Sequence, residues 1–464
     1  MANSISQQGG GGQIVICVIL LILSMVACQS VPDLDAELQT VIQAQRITRL
    51  DPGPAQDPAL VALGQALYFD KILSGNRDIA CATCHHPHKN SGDDLPISIG
   101  TGGVGLGETR QIGNGRQFIP RNAPEVFNRG AAEWRTMFWD SRVMLGEDGR
   151  FQTPAGAKLP ATVANLLAAQ AMFPVTSNDE MRGAVGDTDV FGQPNELALI
   201  DSDDLPSIWQ ALMNRVLAIP EYQTLFAAAY PDVPMAELDF GHAANAIAAF
   251  EIEAYTFYHT PWYQYLEGDT LALSDDAKSG ALLFFGEAGC SRCHSGPLFT
   301  DQQHHNLAVP QVGPGKGDYA PLDLGRFSET GNLTDKYAFR TPPLHNVTIS
   351  GPWMHNGAFN TLEAVIEHHL DTEKSLQGYD TAVHLPPDLR GTFQNDPALL
   401  DEMLQTVDPQ LAPARKLSAQ EIQQLIAFLE ALTDPGVAEN IAYLVPTAVP
   451  SGLSVDVVIN REGE

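Results

Sequence analysis

Two pentapeptides constrain this chain more than anything else in it: CATCH at residues 81–85 and CSRCH at residues 290–294. CxxCH is the attachment signature of c-type haem. Two thiols spaced to reach the two vinyl groups of one haem become thioethers, and the next histidine is placed to ligate the iron. Cys81 and Cys84 with His85, and Cys290 and Cys293 with His294, meet that requirement twice. A zinc site would pool both CxxC pairs without needing a histidine directly after each, and a thioredoxin-like redox pair is not expected in duplicate. The spacing therefore predicts two covalently bound haem c groups in a chain of 464 residues.

Such haems are attached after export, and the N-terminus reads accordingly. Residues 14–27, IVICVILLILSMVA, are too short for a comfortable membrane span and read as the core of a signal peptide. The segment ends MVACQS, which resembles the bacterial lipoprotein cleavage box. Cys28 is then the expected acylated first residue of the mature chain. The lack of an acidic residue after it points to a lipid anchor in the outer membrane, on the periplasmic side. Residues 1–13 hold no Lys or Arg, unlike most signal peptides, so an uncleaved N-terminal anchor is the alternative. Once haem and lipid have taken their cysteines, none is left over for a disulfide.

The helical signals arrange themselves around the haem motifs. PALVALGQALYF, residues 58–69, puts Leu60, Leu63, Leu67 and Tyr68 on one helical face just before CATCH. Residues 276–286 repeat that arrangement before CSRCH. SAQEIQQLIAFLEAL opens with the capping box Ser418 and Glu421, and reads as the terminal helix of a cytochrome c-like domain. Helical stretches near 161–172, 207–229 and 242–256 fill the region between, joined by glycine- and proline-rich loops. The expected fold is mainly α: two cytochrome c-like (class I) haem domains with extended loops. Residues 1–27 form the signal peptide, 28–50 a linker, 51–257 an N-terminal haem domain, 258–436 a C-terminal haem domain, and 437–464 an irregular tail. With 26 Lys and Arg against 56 Asp and Glu, the formal charge of −30 excludes nucleic acid as a partner. It suits a basic electron donor or substrate protein, or equally a solvated acidic surface.

One motif is a decoy. GTGGVG, residues 100–105, matches GxGxxG, but the glycine-broken LGETRQIGNGRQF that follows offers no helix N-terminus to a pyrophosphate. It reads as a flexible loop over the first haem.

The sixth position of each iron decides between electron carrier and catalyst. After His88 the next histidine is His242, so the segment expected over the first haem has none. It does contain Glu180, in PVTSNDEMRG. An open iron would bind peroxide, and a carboxylate there could take one peroxide proton and return it to the leaving oxygen. A solvated loop acid is the alternative, which spacing alone favours. For the second haem, FNTLEAVIEHHLD begins with a capping box of Asn360 and Glu363 and places His369 on the stripe of Leu362, Val365 and Ile366, while His368 points off it. Met354, His355, His304 and His305 are rival ligands.

The order of CATCH, RNAPEVFN (121–128), FWDSR (138–142), NDEM (178–181), CSRCHSGPLFTD (290–301), FRTPPLHNV (339–347) and GPWMHNGAFNTLEAVIEHH (351–369) resembles the bacterial dihaem cytochrome c peroxidase and MauG family over about residues 55–433. The resemblance implies a peroxide site at the N-terminal haem and electron handling at the C-terminal haem. It implies that Glu180 is the active-site acid and base and that Trp139 in FWDSR lies between the haems. It also implies a calcium site at Asn122 and the backbone oxygens of Thr341 and Pro343. The expected partners are hydrogen peroxide and a small electron-donor protein, a cytochrome c or a cupredoxin, or else a protein substrate; homodimers are common in the family. Two departures bear on the reaction. The loop after the first CxxCH, IGTGGVGLG, lacks the histidine that blocks the iron in the peroxidases, which resembles MauG-like members that withdraw electrons from a protein substrate. The position of His369 holds Met in the peroxidases and Tyr in MauG, so histidine would lower the potential of the second haem relative to Met ligation. The readings are a dihaem peroxidase, a MauG-like oxidase of protein side chains, and an electron-transfer cytochrome inert to peroxide.

Overall fold

The two segments that precede the haem motifs are helices, at Pro58–Phe69 and Asp275–Phe285. Each begins at a side-chain cap that accepts N–H groups with no partner inside the helix: Asp57 from Ala59 and Leu60, and Ser274 from Ala277. Each then crosses a later helix at a glycine. A Cβ on Gly64 would stand 1.9 Å from the carbonyl oxygen of Ala246, in the helix Phe240–Ala254. One on Gly280 would stand 1.8 Å from that of Gln424, in Ala419–Glu430. No side chain fits either crossing, so the backbones approach as closely as two helices can. One turn beyond each crossing, a ring from each helix meets its counterpart. Tyr68 lies 5.1 Å from Phe250, and Phe284 lies 5.1 Å from Phe428, between ring centroids. The same packing device, glycine against carbonyl and ring against ring, is built twice.

This computed structural model describes residues 9, 33–411 and 413–457. The signal segment, the lipoprotein box and Cys28 lie outside the described residues, and among those described no helix is long and apolar enough to cross a membrane. The fold is mostly helical. Its main hydrophobic core runs from Leu38 to Val449 and includes both helix pairs. Strands are few and short. Thr136–Met137, Val143–Leu145 and Phe151–Gln152 form an antiparallel meander, with Thr136 opposite Met144 and Met144 opposite Gln152. His304–Asn306 pairs with Ala338–Arg340, setting His304 opposite Arg340.

Three expectations differ from the structure. The helix expected from 161 starts at Leu166, where Asn165 caps it by accepting from Ala168. The helix carrying His369, Leu362–Leu370, is capped by Thr361 rather than Asn360, whose amide donates instead to Val383. The tail is not wholly irregular: Val437–Ile441 is helical, and the run that follows lies against the first haem motif. There Asp456 accepts from Thr83 at 2.5 Å and pairs with Lys71 at 2.6 Å, while its carbonyl oxygen accepts from His86 at 3.1 Å. Ser451 binds the buried carboxylate of Asp70. These polar partners come from the far end of the chain, which is why proline spacing alone did not reveal them.

Candidate haem sites

Each CxxCH motif opens onto its own cavity. The first, about 1370 Å³ with the open solvent at its mouth, is lined by Cys81, Cys84 and His85 together with Leu167, Val175, Met181 and Ile247. The second, about 1670 Å³ on the same measure, is lined by Cys290, Cys293 and His294 with Phe284, Leu362, Ile366 and Leu425. The residues present fit a covalently attached haem in both. All four cysteines are free, and burial pushes Cys81 and Cys290 up to about 12, so they are neutral thiols beside an apolar slot. Burial also presses His85 and His294 down to about 4, leaving each imidazole neutral with a lone pair to give. Nδ1 of His85 is 3.3 Å from Ser91 O and Nδ1 of His294 is 3.0 Å from Phe299 O. These carbonyls place the ring proton on Nδ1 and leave Nε2 for an iron, the outer-shell arrangement of metal-binding histidines.

Opposite these histidines the cavities part company. In the second, the ring of His369 stands 6.4 Å from that of His294, centroid to centroid. Two imidazoles on opposite sides of one metal ion are separated by two metal–nitrogen bonds of about 2 Å and roughly 1 Å more within each ring, about 6 Å in all. Nδ1 of His369 lies 2.8 Å from Val365 O, so its Nε2 too is left for a metal. The rivals are placed otherwise. Both nitrogens of His305 are occupied, by Asp408 at 2.5 Å and Asp301 at 3.0 Å, and with Asp301 the leading cause the imidazole is pushed up to about 11. A doubly protonated ring has no lone pair to offer. Asp301, His305 and Cys293 lie within 4.8 Å of one another, but with His305 so paired and Cys293 given to a thioether they make a poor metal site. His304 binds Ser141 at 2.8 Å, and His355 stacks on Phe339 at 3.5 Å on the cavity wall, where Met354 also lies. His368, expected to point away, is buried between Leu307 O and Ser375, turned from the haem cavity toward a second apolar cluster around Phe359.

The first cavity has no facing imidazole: His85 is the one histidine among its lining residues. Glu180 lines it instead, from a single π turn, Asn178–Arg182, started by Ser177 and held by Arg182 bonding Asn178 and Ile200 O. The glycine loop at 100–105 supports this turn rather than swinging freely over it. A Cβ on Gly100 would lie 1.8 Å from Asp179 O, the Thr101 N–H donates to Glu180 O at 2.8 Å, and Arg110 bonds the carbonyls of Ile99, Gly100 and Gly105. Glu180 is half-buried on the cavity wall. Burial raises its carboxyl above the usual carboxylate range, while Arg142 and Lys316, also on the cavity wall, pull it back. Both cations are anchored on Asp140, which is fully buried. Burial would raise that carboxyl, but Arg142, Arg121 and Lys316 overcome it and hold it well below the usual range.

Between the cavities stands Trp139, which lines both. Its indole N–H donates to Asn122 O at 3.1 Å and its own carbonyl accepts from the Arg340 N–H at 2.8 Å. Its neighbour Phe138 is held at φ 67°, a conformation costly for a bulky residue, with Arg142 stacked 3.5 Å from the ring centre. Asn122, Thr341 and Pro343 share the wall of the second cavity. The Asn122 amide nitrogen donates to Leu95 O at 2.7 Å, and Thr341 O already accepts from Thr300 at 2.6 Å. Sequence reasoning missed Asp140, Arg142, Lys316 and Arg340. The first two stand inside FWDSR and the last inside FRTPP, so the charged members of those motifs were the available signal.

Residues 58–271 match the family described as di-haem cytochrome c peroxidase. The chain is 31% identical over 315 residues to the methylamine utilization protein MauG of Methylorubrum extorquens, covering 68% of this chain and 69% of that protein. It is 30% identical over 299 residues to the cytochrome c551 peroxidase of Pseudomonas aeruginosa, covering 64% and 67%. Among solved structures, a MauG-like protein associated with microbial copper homeostasis superposes with a TM-score of 0.58 at 25% identity, over 84% of this chain and 96% of that one.

Proposed function

The chain belongs to the dihaem cytochrome c peroxidase and MauG family and is an oxidoreductase, and from that premise we propose that it reduces hydrogen peroxide in the His85 cavity with electrons relayed from the His294 cavity. The observation that carries this is the asymmetry of the two cavities: His369 faces His294, whereas no second imidazole lines the first site, where Glu180 stands with Arg142 and Lys316. Two electrons and two protons convert one peroxide into two waters, and a haem bound in each cavity supplies the electron chemistry. Glu180, as carboxylate, takes the proton from the peroxide oxygen that will bind and returns it to the oxygen that leaves. Arg142 and Lys316 keep that carboxyl from rising so far that it stays protonated, and they favour the negative charge that develops on the leaving oxygen. Trp139, pinned at both its indole and its carbonyl, offers a fixed aromatic path between the sites. His294 and His369 together would hold the second iron with two imidazoles, a ligand pair that lowers its potential relative to Met ligation.

Two cytochrome c-like domains, divided near 257/258, are supported by the repeated glycine and ring crossings. A calcium site at Asn122, Thr341 and Pro343 is supported by their shared wall, and filling it would replace a bond that Thr341 O accepts from Thr300 or Arg340. Export to the periplasmic side with a lipid anchor at Cys28, and a basic cytochrome c or cupredoxin as donor, follow from the cleavage box and the charge of −30. A second reading, MauG-like oxidation of a protein side chain, is favoured by the lack of any imidazole beyond His85 on the first cavity, which leaves no histidine there to be displaced by reduction. EPR of the fully oxidised protein, before and after one equivalent of peroxide, tests the proposal. A high-spin ferric signal that peroxide abolishes is expected; two low-spin signals indifferent to peroxide, even after half-reduction, would overturn it.

A further inference from the structure

Five residues line both cavities: Asn122, Pro124, Glu125, Trp139 and Arg340. Two of them are charged. Glu125 has its counter-ion, Arg129, at 2.8 Å. Arg340 has none: among the described residues it takes part in no ion pair, although it is only 3% exposed. Its guanidinium spends Nε on Phe138 O at 3.0 Å and Nη1 on Thr341 O at 3.2 Å, both backbone carbonyls. Three of its five N–H groups remain for something else. Its guanidinium stands 5.1 Å from the centre of the uncharged Trp134 ring, and the acids that act on it, Glu125 and Asp140, form no ion pair with it. A guanidinium removed from water with only neutral acceptors is an unfinished ion pair, and the geometry that suits it is the two oxygens of a carboxylate.

The groups expected to fill these cavities bring carboxylates with them, since every haem c carries two propionates. We propose that Arg340 is a carboxylate-binding residue shared by the two haem sites, taking one propionate from each and so tying the electrostatics of both irons to a single cation. The assignment rests on the reading of both cavities as haem sites. It gives Arg340 a place distinct from that of Glu180 and Trp139. It touches the cofactors' edges, and its backbone N–H, which no side-chain substitution removes, holds the Trp139 carbonyl. A cation that neutralises a propionate favours the reduced haem, whose net charge is one unit more negative. Removing it must therefore move both midpoints in the negative direction, which displacement of Trp139 would not do, because an electron path affects rates and not equilibrium potentials.

Spectroelectrochemical titration of the holoprotein tests this with Arg340→Gln and Arg340→Lys. Both haem midpoints are expected to fall in the Gln variant and to return most of the way in the Lys variant, which keeps the charge but loses the fork. Midpoints unchanged in the Gln variant, or a fall at one haem alone, would overturn the assignment. If the Gln variant does not mature, resonance Raman of the Lys variant decides. Propionate bending bands shifted from wild type at both haems support the proposal, and unshifted bands overturn it. Peroxide turnover of the wild-type protein reads the function separately. An inert protein whose midpoints still fall in the Gln variant would sink the peroxidase reading and leave Arg340 in place, whereas a protein that carries fewer than two haems ends both.

Discussion

The two haem cavities are made by similar means and finished differently. Each has its CxxCH on one wall, a histidine oriented by a backbone carbonyl, and a helix crossing sealed by a glycine. The second is closed on its far side by His369, set at the distance of a ligand sharing one metal ion with His294. The first is lined by no second imidazole and by an acid, Glu180, with Arg142 and Lys316 on the same wall. An iron with both axial positions filled exchanges electrons with little rearrangement, and one with a free position can bind a substrate. In the function proposed, the difference between electron handling and chemistry lies in what faces the attachment histidine, while the attachment itself is common to both.

The comparison breaks most sharply at Glu180. If the first cavity is the chemical one, Glu180→Gln lowers peroxide turnover by about 10²–10⁴-fold, the usual worth of a positioned acid and base, while both haems and the second haem's spectrum stay intact. The pH profile carries the sign. The carboxylate form is the one that accepts the proton, so kcat/KM falls as pH drops through the pKa of Glu180, and burial places that limb above the ordinary 4.5. Stopped-flow turnover against pH checks both, and a Gln variant that turns over peroxide at the wild-type rate removes Glu180 from the mechanism. A smaller, confined effect is expected from His369→Ala. The second haem passes from low-spin to high-spin in EPR and the first keeps its signal; a spectrum that does not change would give the facing position to Met354 or His355. Smallest are the paired crossings. Gly64→Ala and Gly280→Ala each force a Cβ into a carbonyl oxygen and cost about 1–3 kcal/mol by overpacking, read as similar drops in thermal midpoint. A large cost in one half with none in the other would show that the two halves do not share one packing device.

Much of this was legible along the chain because it is written at short range. The haem attachment needs residues within five positions, and the helices Pro58–Phe69 and Ala419–Glu430 announce themselves by apolar spacing and by caps such as Ser418 with Glu421. The family order of motifs then pointed to Glu180 and Trp139. Where the reading slipped, the deciding contact was distant. The tail after 435 found its partners at Asp70 and Thr83, and the glycine loop at 100–105, taken as flexible, is braced by Asp78 and Arg110 against the Glu180 turn.

By itself, then, the amino-acid sequence determined the two attachment sites, a mainly helical fold, a strongly acidic chain and the family. The attachment sites and the helices depend on residue identity and on spacings shorter than a few turns of helix, the charge on composition, and the family on the order of its motifs along the chain. Only the tertiary structure decided that His369 and not His305 faces His294, that Asp140 gathers Arg121, Arg142 and Lys316 at the first cavity, and that Arg340 lies unpaired between the two. Those are questions of distance and burial between residues some 200 positions apart, and the cost of leaving a charge or a lone pair unpartnered is felt only once the chain has closed around it.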